Sequence, residues 1–171
     1  MYTGGANTDG QLGCGSCSES FMHERKLEGF GPFHKAVKVS CGDSFTLVLD
    51  YTHKLYSFGK GSHGRLGHDN DNDLTQPALV QALAFKNVLS LSAGCRHAAC
   101  YTGKICQLII LILFLLDEGV LYTWGFNFYE QLGIGDSDKD YEKPTKVTKL
   151  MGMKVKDVSC GYFHTSCLVA E

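Results

Sequence analysis

Apolar and polar positions along the chain change over short distances, and the pattern is that of strands. Residues 88–92 (VLSLS) and 155–159 (VKDVS) alternate as half-buried strands do. The runs at 45–49 (FTLVL) and 165–169 (TSCLV) read as more deeply buried strands. Residues 55–58 (LYSF) and 121–124 (LYTW) are short and aromatic, a composition that suits a pleated, packed surface. A glycine follows each aromatic segment (Gly5, Gly59, Gly125), permitting a bend or a close backbone approach that a Cβ would oppose. No helical stripe of comparable quality competes with this reading.

The strands recur. Residues 2–13 (YTGGANTDGQLG), 56–67 (YSFGKGSHGRLG) and 122–133 (YTWGFNFYEQLG) align without gaps, each ending in Leu-Gly (Gly67 and Gly133 in the later copies). A second triplet follows each: 39–49 (VSCGDSFTLVL), 91–101 (LSAGCRHAACY) and 158–168 (VSCGYFHTSCL). Gly42 to Gly94 is 52 residues, and Gly94 to Gly161 is 67. Self-similarity at a period near fifty residues marks a repeat architecture. About four strands per copy predict antiparallel blades, which stack around an axis into a propeller.

Taken together, Tyr-x-Trp/Phe-Gly, Gln/Arg-Leu-Gly and Gly-x-x-His-Ser/Thr resemble the regulator of chromosome condensation repeat. The third copy matches best, through Trp124, Gly125, Asn127, Gln131, Leu132, Gly133, Pro144, Gly161, His164 and Thr165; the second matches at Gly59, Gly64, Leu66, Gly67, Pro77, Gly94 and His97. In the first copy Phe45 stands where the histidine is expected. The expectation is an all-β chain, a partial propeller of about three four-stranded blades, with repeats at about 1–50, 51–102 and 117–171. The resemblance implies that His97 and His164 mainly buttress a turn by hydrogen bonding, and that Trp124 is a core anchor. A light-sensing propeller of this family needs clustered tryptophans, and this chain has one.

One segment breaks the register. Residues 105–116 (ICQLIILILFLL) are apolar but shorter than the roughly 20 residues of a membrane span. Gly42 to Tyr56 is 14 residues, whereas the equivalent Gly94 to Tyr122 is 28. Setting aside 103–116 restores the spacing and joins Thr102 to Asp117. Gly103-Lys104 can be encoded by a 5′ splice signal and Leu116-Asp117 by a terminal AG, which together regenerate an aspartate codon in frame. The segment therefore reads as a retained intron, with a genuine apolar insertion as the alternative.

Composition narrows the chemistry. A formal charge of -2 with no basic block gives no reason to expect direct nucleic-acid binding. No signal-peptide pattern follows Met1, so the eight cysteines read as reduced and the compartment as cytoplasmic or nuclear. Cys41, Ala93 and Cys160 share a repeat position and read as a small buried packing site, while Cys14 and Cys17 form a lone CxxC pair. The acidic runs at 69–73 and 136–140 lack the glycine and glutamate of a calcium loop. His63 and His68 read as exposed loop residues. No nucleophile elbow, P-loop or dinucleotide fingerprint is present. The expectation is a non-enzyme without metal or cofactor.

The function expected is a non-catalytic scaffold that binds a protein partner through loops at one face of the blades. Candidate contacts are Asp69, Asp71 and Asp73, then Asp136, Asp138 and Asp140, and a long first loop at 14–33. The resemblance implies two alternatives: guanine nucleotide exchange on a Ran-like small GTPase, or a regulatory part of a larger ubiquitin ligase or kinase. Three blades leave open edges that invite self-association. A chain starting inside a strand motif reads as a piece of a longer protein. Transcripts sequenced across codons 103–116 should mostly lack the segment; abundant transcripts retaining it would sink the intron reading.

Overall fold

The computed structural model describes residues 1–27, 34–103, 119–136 and 139–170, with the backbone alone for 18–25. Within them run twelve strands, all paired antiparallel: β1 (Tyr2–Asn7), β2 (Ser18–Lys26), β3 (Ala36–Cys41), β4 (Phe45–Asp50), β5 (Leu55–Gly59), β6 (Leu74–Leu79), β7 (Val88–Ala93), β8 (His97–Thr102), β9 (Val120–Gly125), β10 (Tyr141–Lys146), β11 (Lys154–Cys160) and β12 (Thr165–Ala170). They form two four-stranded sheets, β3-β4-β5-β6 and β7-β8-β9-β10, flanked by the pairs β1-β2 and β11-β12. That is a partial β-propeller with three blades' worth of strands, divided into two whole blades and two end pairs.

The division refines the sequence reading. Each repeat holds four strands, but the repeat and the blade are out of phase. The aromatic strand of a repeat is the third strand of one blade, and its Gly-x-x-His segment opens the first hairpin of the next. Each repeat therefore staples two sheets together. The 14–33 segment is not one long loop, because Ser18–Lys26 is a strand that pairs with β1.

Strand burial follows position in the stack. β4 is buried along its whole length, as a central strand covered on both faces must be. Its odd-numbered residues Phe45, Leu47 and Leu49 join Leu55, Leu66 and Val80 against Val88, Leu91, Cys100 and Trp124 of the next blade. Its opposite face places Val48 with Phe58 and Leu27 toward the first pair. Ala99, Leu121 and Val147 meet Val155 and Val158 of β11. The expectation of a small buried site at Cys41, Ala93 and Cys160 needs correction: Cys41 is exposed, and Ala93 and Cys160 are half-buried. The latter two gain partial cover from the preceding inner strand, whose Ser40 and Ser92 hydroxyls accept their N–H groups, each at 2.9 Å. No inner strand precedes β3 among the described residues, so Cys41 has no such cover.

The β8-β9 hairpin closes across the apolar insertion. Thr102 pairs with Val120, and the Gly119 N–H donates to the Thr102 carbonyl at 2.8 Å. Residues 104–118 lie outside the described residues. Since both flanks of the segment are already hydrogen-bonded to each other, its removal should not disturb the sheet. A chain lacking 103–116 should keep the β-sheet circular dichroism and cooperative melt of the full chain; loss of the cooperative transition would show that the segment belongs to the core.

Candidate functional site: the loop face of the blades

Loop positions at one end of the blades are built by repeat-equivalent hydrogen bonds. The hydroxyls of Ser57 and Thr123 donate to the carbonyls of Leu66 and Leu132, at 2.7 and 2.8 Å, and fix the Leu-Gly turn over the strand. Asn127 accepts from Leu132 N–H at 3.2 Å and donates to the Asp136 carbonyl; Asn7 does the same with Leu12 and Ser16 in the first copy. Gly61 replaces this asparagine in the second copy, and there Asp71 takes a 2.6 Å bond from Gly64 N–H.

Several acidic candidates are thereby drawn into loop construction. Asp73 accepts from Gly61 N–H at 2.7 Å, and Asp140 accepts from the equivalent Asn127 N–H at 2.9 Å. Asp140 also faces His63 Nδ1 at 2.7 Å, and Asp69 pairs with Lys143 of the next blade at 3.3 Å. Asp136 accepts from the Tyr141 hydroxyl at 3.2 Å and lies 3.7 Å from Lys139. Asp138 lies outside the described residues. Asp69, Asp71 and Asp73 remain exposed at one rim.

His63 and His68 are half-buried, not exposed: His68 bonds Ser57 Oγ at 2.8 Å, and burial lowers its pKa. Cys14 contacts Thr3 and Cys17 is exposed; among the described residues, no three His, Cys, Asp or Glu side chains converge on a metal-sized site. Burial pushes the Cys160 thiol up to about 11 and Cys100 higher still, so neither is a ready nucleophile.

The inner hairpins explain the glycine-histidine spacing. A Cβ on Gly42 would lie 2.5 Å from the Gly94 carbonyl oxygen, and one on Gly94 would lie 2.6 Å from that of Gly161. The ring of Phe45, His97 or His164 also packs directly over the glycine of its own hairpin. Because phenylalanine fills this slot in the first copy, packing is the shared role. His97 adds a 3.1 Å bond to Thr165 of the end pair.

The chief surface feature was not among the sequence candidates. Phe126, Phe128 and Tyr129 of the β9-β10 loop gather with Tyr162 and Phe163 of the β11-β12 turn. Ring centroids are 4.7 Å apart for Tyr129–Phe163, 4.4 Å for Tyr162–Phe163 and 5.2 Å for Phe128–Tyr129. Phe128 is 70% exposed and Tyr162 65%. His63 stands edge-on to Phe126 at 5.0 Å and brings Asp140 to the border of the cluster. Equivalent positions hold Ala6, Thr8, Asp9, Asp43 and Ser44 in the first copy, and Lys60, Ser62, His63, Cys95 and Arg96 in the second. The blade does not require aromatic residues there. The gap-free alignment carried that signal, as an aromatic departure at otherwise polar loop positions.

Comparison with known proteins agrees with this architecture. The family model for the regulator of chromosome condensation (RCC1) repeat matches residues 1–49, 52–101 and 118–168. The chain is 34% identical over 167 residues to the E3 ubiquitin-protein ligase HERC2 of Homo sapiens, covering 96% of this chain and 3% of that protein. It is 31% identical to the ultraviolet-B receptor UVR8 of Arabidopsis thaliana, covering 96% of this chain and 34% of the receptor. The structure of Prp20p from Saccharomyces cerevisiae, described with its binding to Gsp1p and histones, superposes with a TM-score of 0.81 at 19% identity. That match covers 98% of this chain and 39% of Prp20p. The chain thus spans from 3% to 39% of these relatives' lengths.

Burial lowers the pKa of His97 from 6.5 to about 4, outweighing a backbone hydrogen bond at His164 that favours the protonated ring. Between those values the unfolded chain holds a proton that the folded chain does not. The stability contribution is therefore complete above pH 6.5 and is lost as pH falls toward 4, on the order of 3 kcal/mol in all. His97→Phe, copying Phe45, should fold and remove this dependence. Denaturant unfolding should show the variant gaining on wild type from pH 6.5 to 4; a difference constant over that range would exonerate His97.

Proposed function

Since the chain belongs to the regulator of chromosome condensation repeat family, we propose that it serves as a non-catalytic, protein-binding segment of a β-propeller. The single observation that carries this reading is the aromatic cluster of Phe126, Phe128, Tyr129, Tyr162 and Phe163. Exposed aromatic side chains supply large contact area at little conformational cost, and contiguous apolar patches of this kind mark interaction sites. Their absence from equivalent loops argues that they serve something other than the fold.

The rim chemistry describes the partner. Glu130 and Asp140 border the rings, and Asp69, Asp71 and Asp73 extend the acidic edge across the neighbouring blade. A protein segment carrying apolar side chains flanked by lysine or arginine would bury against the rings while its cations face the carboxylates. Prp20p binds Gsp1p and histones, and histones are partners of this basic kind. HERC2 places a related segment inside a ubiquitin ligase, so a regulatory or substrate-recruiting part of a larger ligase fits the same surface. Light sensing of the UVR8 kind has no support in a chain with one tryptophan, which is fully buried.

Guanine nucleotide exchange is the second reading, favoured by the fold shared with Prp20p. The two separate experimentally. We place the protein in the cytoplasm or nucleus, where such partners reside; no described helix is long and apolar enough to cross a membrane.

Grafting the first copy's residues onto the third (Phe128→Thr, Tyr162→Asp, Phe163→Ser) should leave the melting temperature within a few degrees, because these residues already suit the same loops. Binding to core histones or to a Ran-type GTPase should fall on the order of thirtyfold or more, the scale of an aromatic hot spot. Equal binding by both proteins would refute the aromatic face. Acceleration of nucleotide release at substoichiometric concentrations would replace the scaffold reading with the exchange reading.

A further inference from the structure

The two ends of the strands carry opposite chemistry. β4 runs from Phe45, opposite Gly59 at the loop face, to Leu49, opposite Leu55 at the far end. β8 runs likewise from His97, opposite Gly125, to Thr102, opposite Val120. Backbone hydrogen bonds join the far-end connections into one surface. Tyr51 N–H donates to the Lys35 carbonyl at 2.9 Å and Val88 N–H to that of His53 at 3.3 Å. Gly103 N–H donates to the Asn87 carbonyl at 3.0 Å and Val155 N–H to that of Gly119 at 2.9 Å. The bonds at Val88 and Val155 cross blade interfaces.

Within the far-end connections at 50–55, 80–88 and 147–155, the sole carboxylate is Asp50. It is fully buried and accepts from the Thr52 hydroxyl and the Lys54 N–H, so it shows no charge to solvent. Lys35, Lys154 and Lys156 are exposed at this end, and Lys54 and Lys86 are half-buried. Asp157 follows Lys156 in its strand and accepts the Val158 N–H at 2.9 Å. The exposed carboxylates gather at the loop face, in Asp69, Asp71, Asp73, Glu130 and Asp140. A formal charge of -2 over the chain therefore hides a polarity between its ends.

Apolar side chains stand among the far-end cations. Phe85 is 101% exposed, Met151 64%, Tyr51 52% and Met153 48%. The fold thus gains no burial from Phe85. Rings and methionines flanked by lysines suit the interfacial layer of a bilayer, where apolar tips enter at headgroup depth and ammonium groups meet lipid phosphates. Lys154 and Lys156 also line a cavity of about 140 Å³ beside Gly103 and Gly119, with room for one headgroup phosphate. An acidic protein or a nucleic acid would engage the lysines and leave Phe85 in water. The apolar tips favour lipid.

We infer that this end of the blades is a peripheral docking surface for an anionic lipid membrane. The loop face lies at the opposite end of the strands and stays free for a protein partner.

The intact 171-residue chain is sedimented with vesicles of phosphatidylcholine and phosphatidylserine, and separately with phosphatidylcholine alone. It should bind the mixed vesicles saturably and preferentially, and less as salt is raised. Phe85→Ser should weaken binding about tenfold at an unchanged melting temperature, because its ring is in solvent. Lys35→Glu and Lys156→Glu should each weaken it about fivefold or more. The triple variant at Phe128, Tyr162 and Phe163 should bind as the parent does, and so should a chain lacking 103–116. No preference for mixed vesicles would overturn the inference. Full binding by Phe85→Ser with impaired lysine variants would overturn it too, assigning the surface to an acidic macromolecule. Loss in the triple variant would move the membrane contact to the aromatic face, and loss without 103–116 would move it to that segment. Either result would sink the far-end surface.

Discussion

Packing of a ring from one blade onto a glycine of the preceding blade holds the stack together. Phe58 over Gly13 and Trp124 over Gly67 bring sheets close enough for Phe45, Leu47, Leu55 and Leu66 to meet Val88, Leu91 and Cys100 in one continuous core. Truncating such a ring costs about 3–5 kcal/mol, a large share of the marginal stability of a domain. At the inner edge the same complementarity operates between backbones, where Gly42 and Gly94 accept the carbonyls of Gly94 and Gly161. A side chain at any of these glycines would separate two sheets, not merely disturb one turn.

Out-of-phase repeats follow from this arrangement. Each repeat contributes the outer strands of one sheet and the inner strands of the next, so covalent continuity reinforces every blade interface. The exposed loops are then released from structural duty. Their hydrogen bonds are anchored by Ser57, Asp73, Asn127, Thr123 and Asp140, which leaves the intervening positions to vary. The third repeat uses that freedom to gather five aromatic residues. The first and second hold smaller or polar residues at the same places.

The acidic loops show why residue type alone is a weak guide to a site. Asp73 and Asp140 occupy one repeat position and each accepts a backbone N–H from the same turn. Their carboxylates are builders of the loop face as well as candidates for contact. The histidine slot teaches the same lesson, since Phe45 performs the packing that His97 performs and only His97 reaches Thr165.

From the sequence by itself came the repeat, its strands, the antiparallel blade and the foreign register of 103–116. Those features are local or periodic: alternation, glycine spacing and a gap-free alignment record them directly. Tertiary structure alone decided how the strands are shared between blades. It also showed that Ser18–Lys26 is a strand, that Cys41 is uncovered, and that His63 meets Asp140 across 77 positions. The aromatic face belongs to the same class. It arises where loops distant in sequence converge, and pairwise distance in space is a quantity that one-dimensional periodicity does not encode.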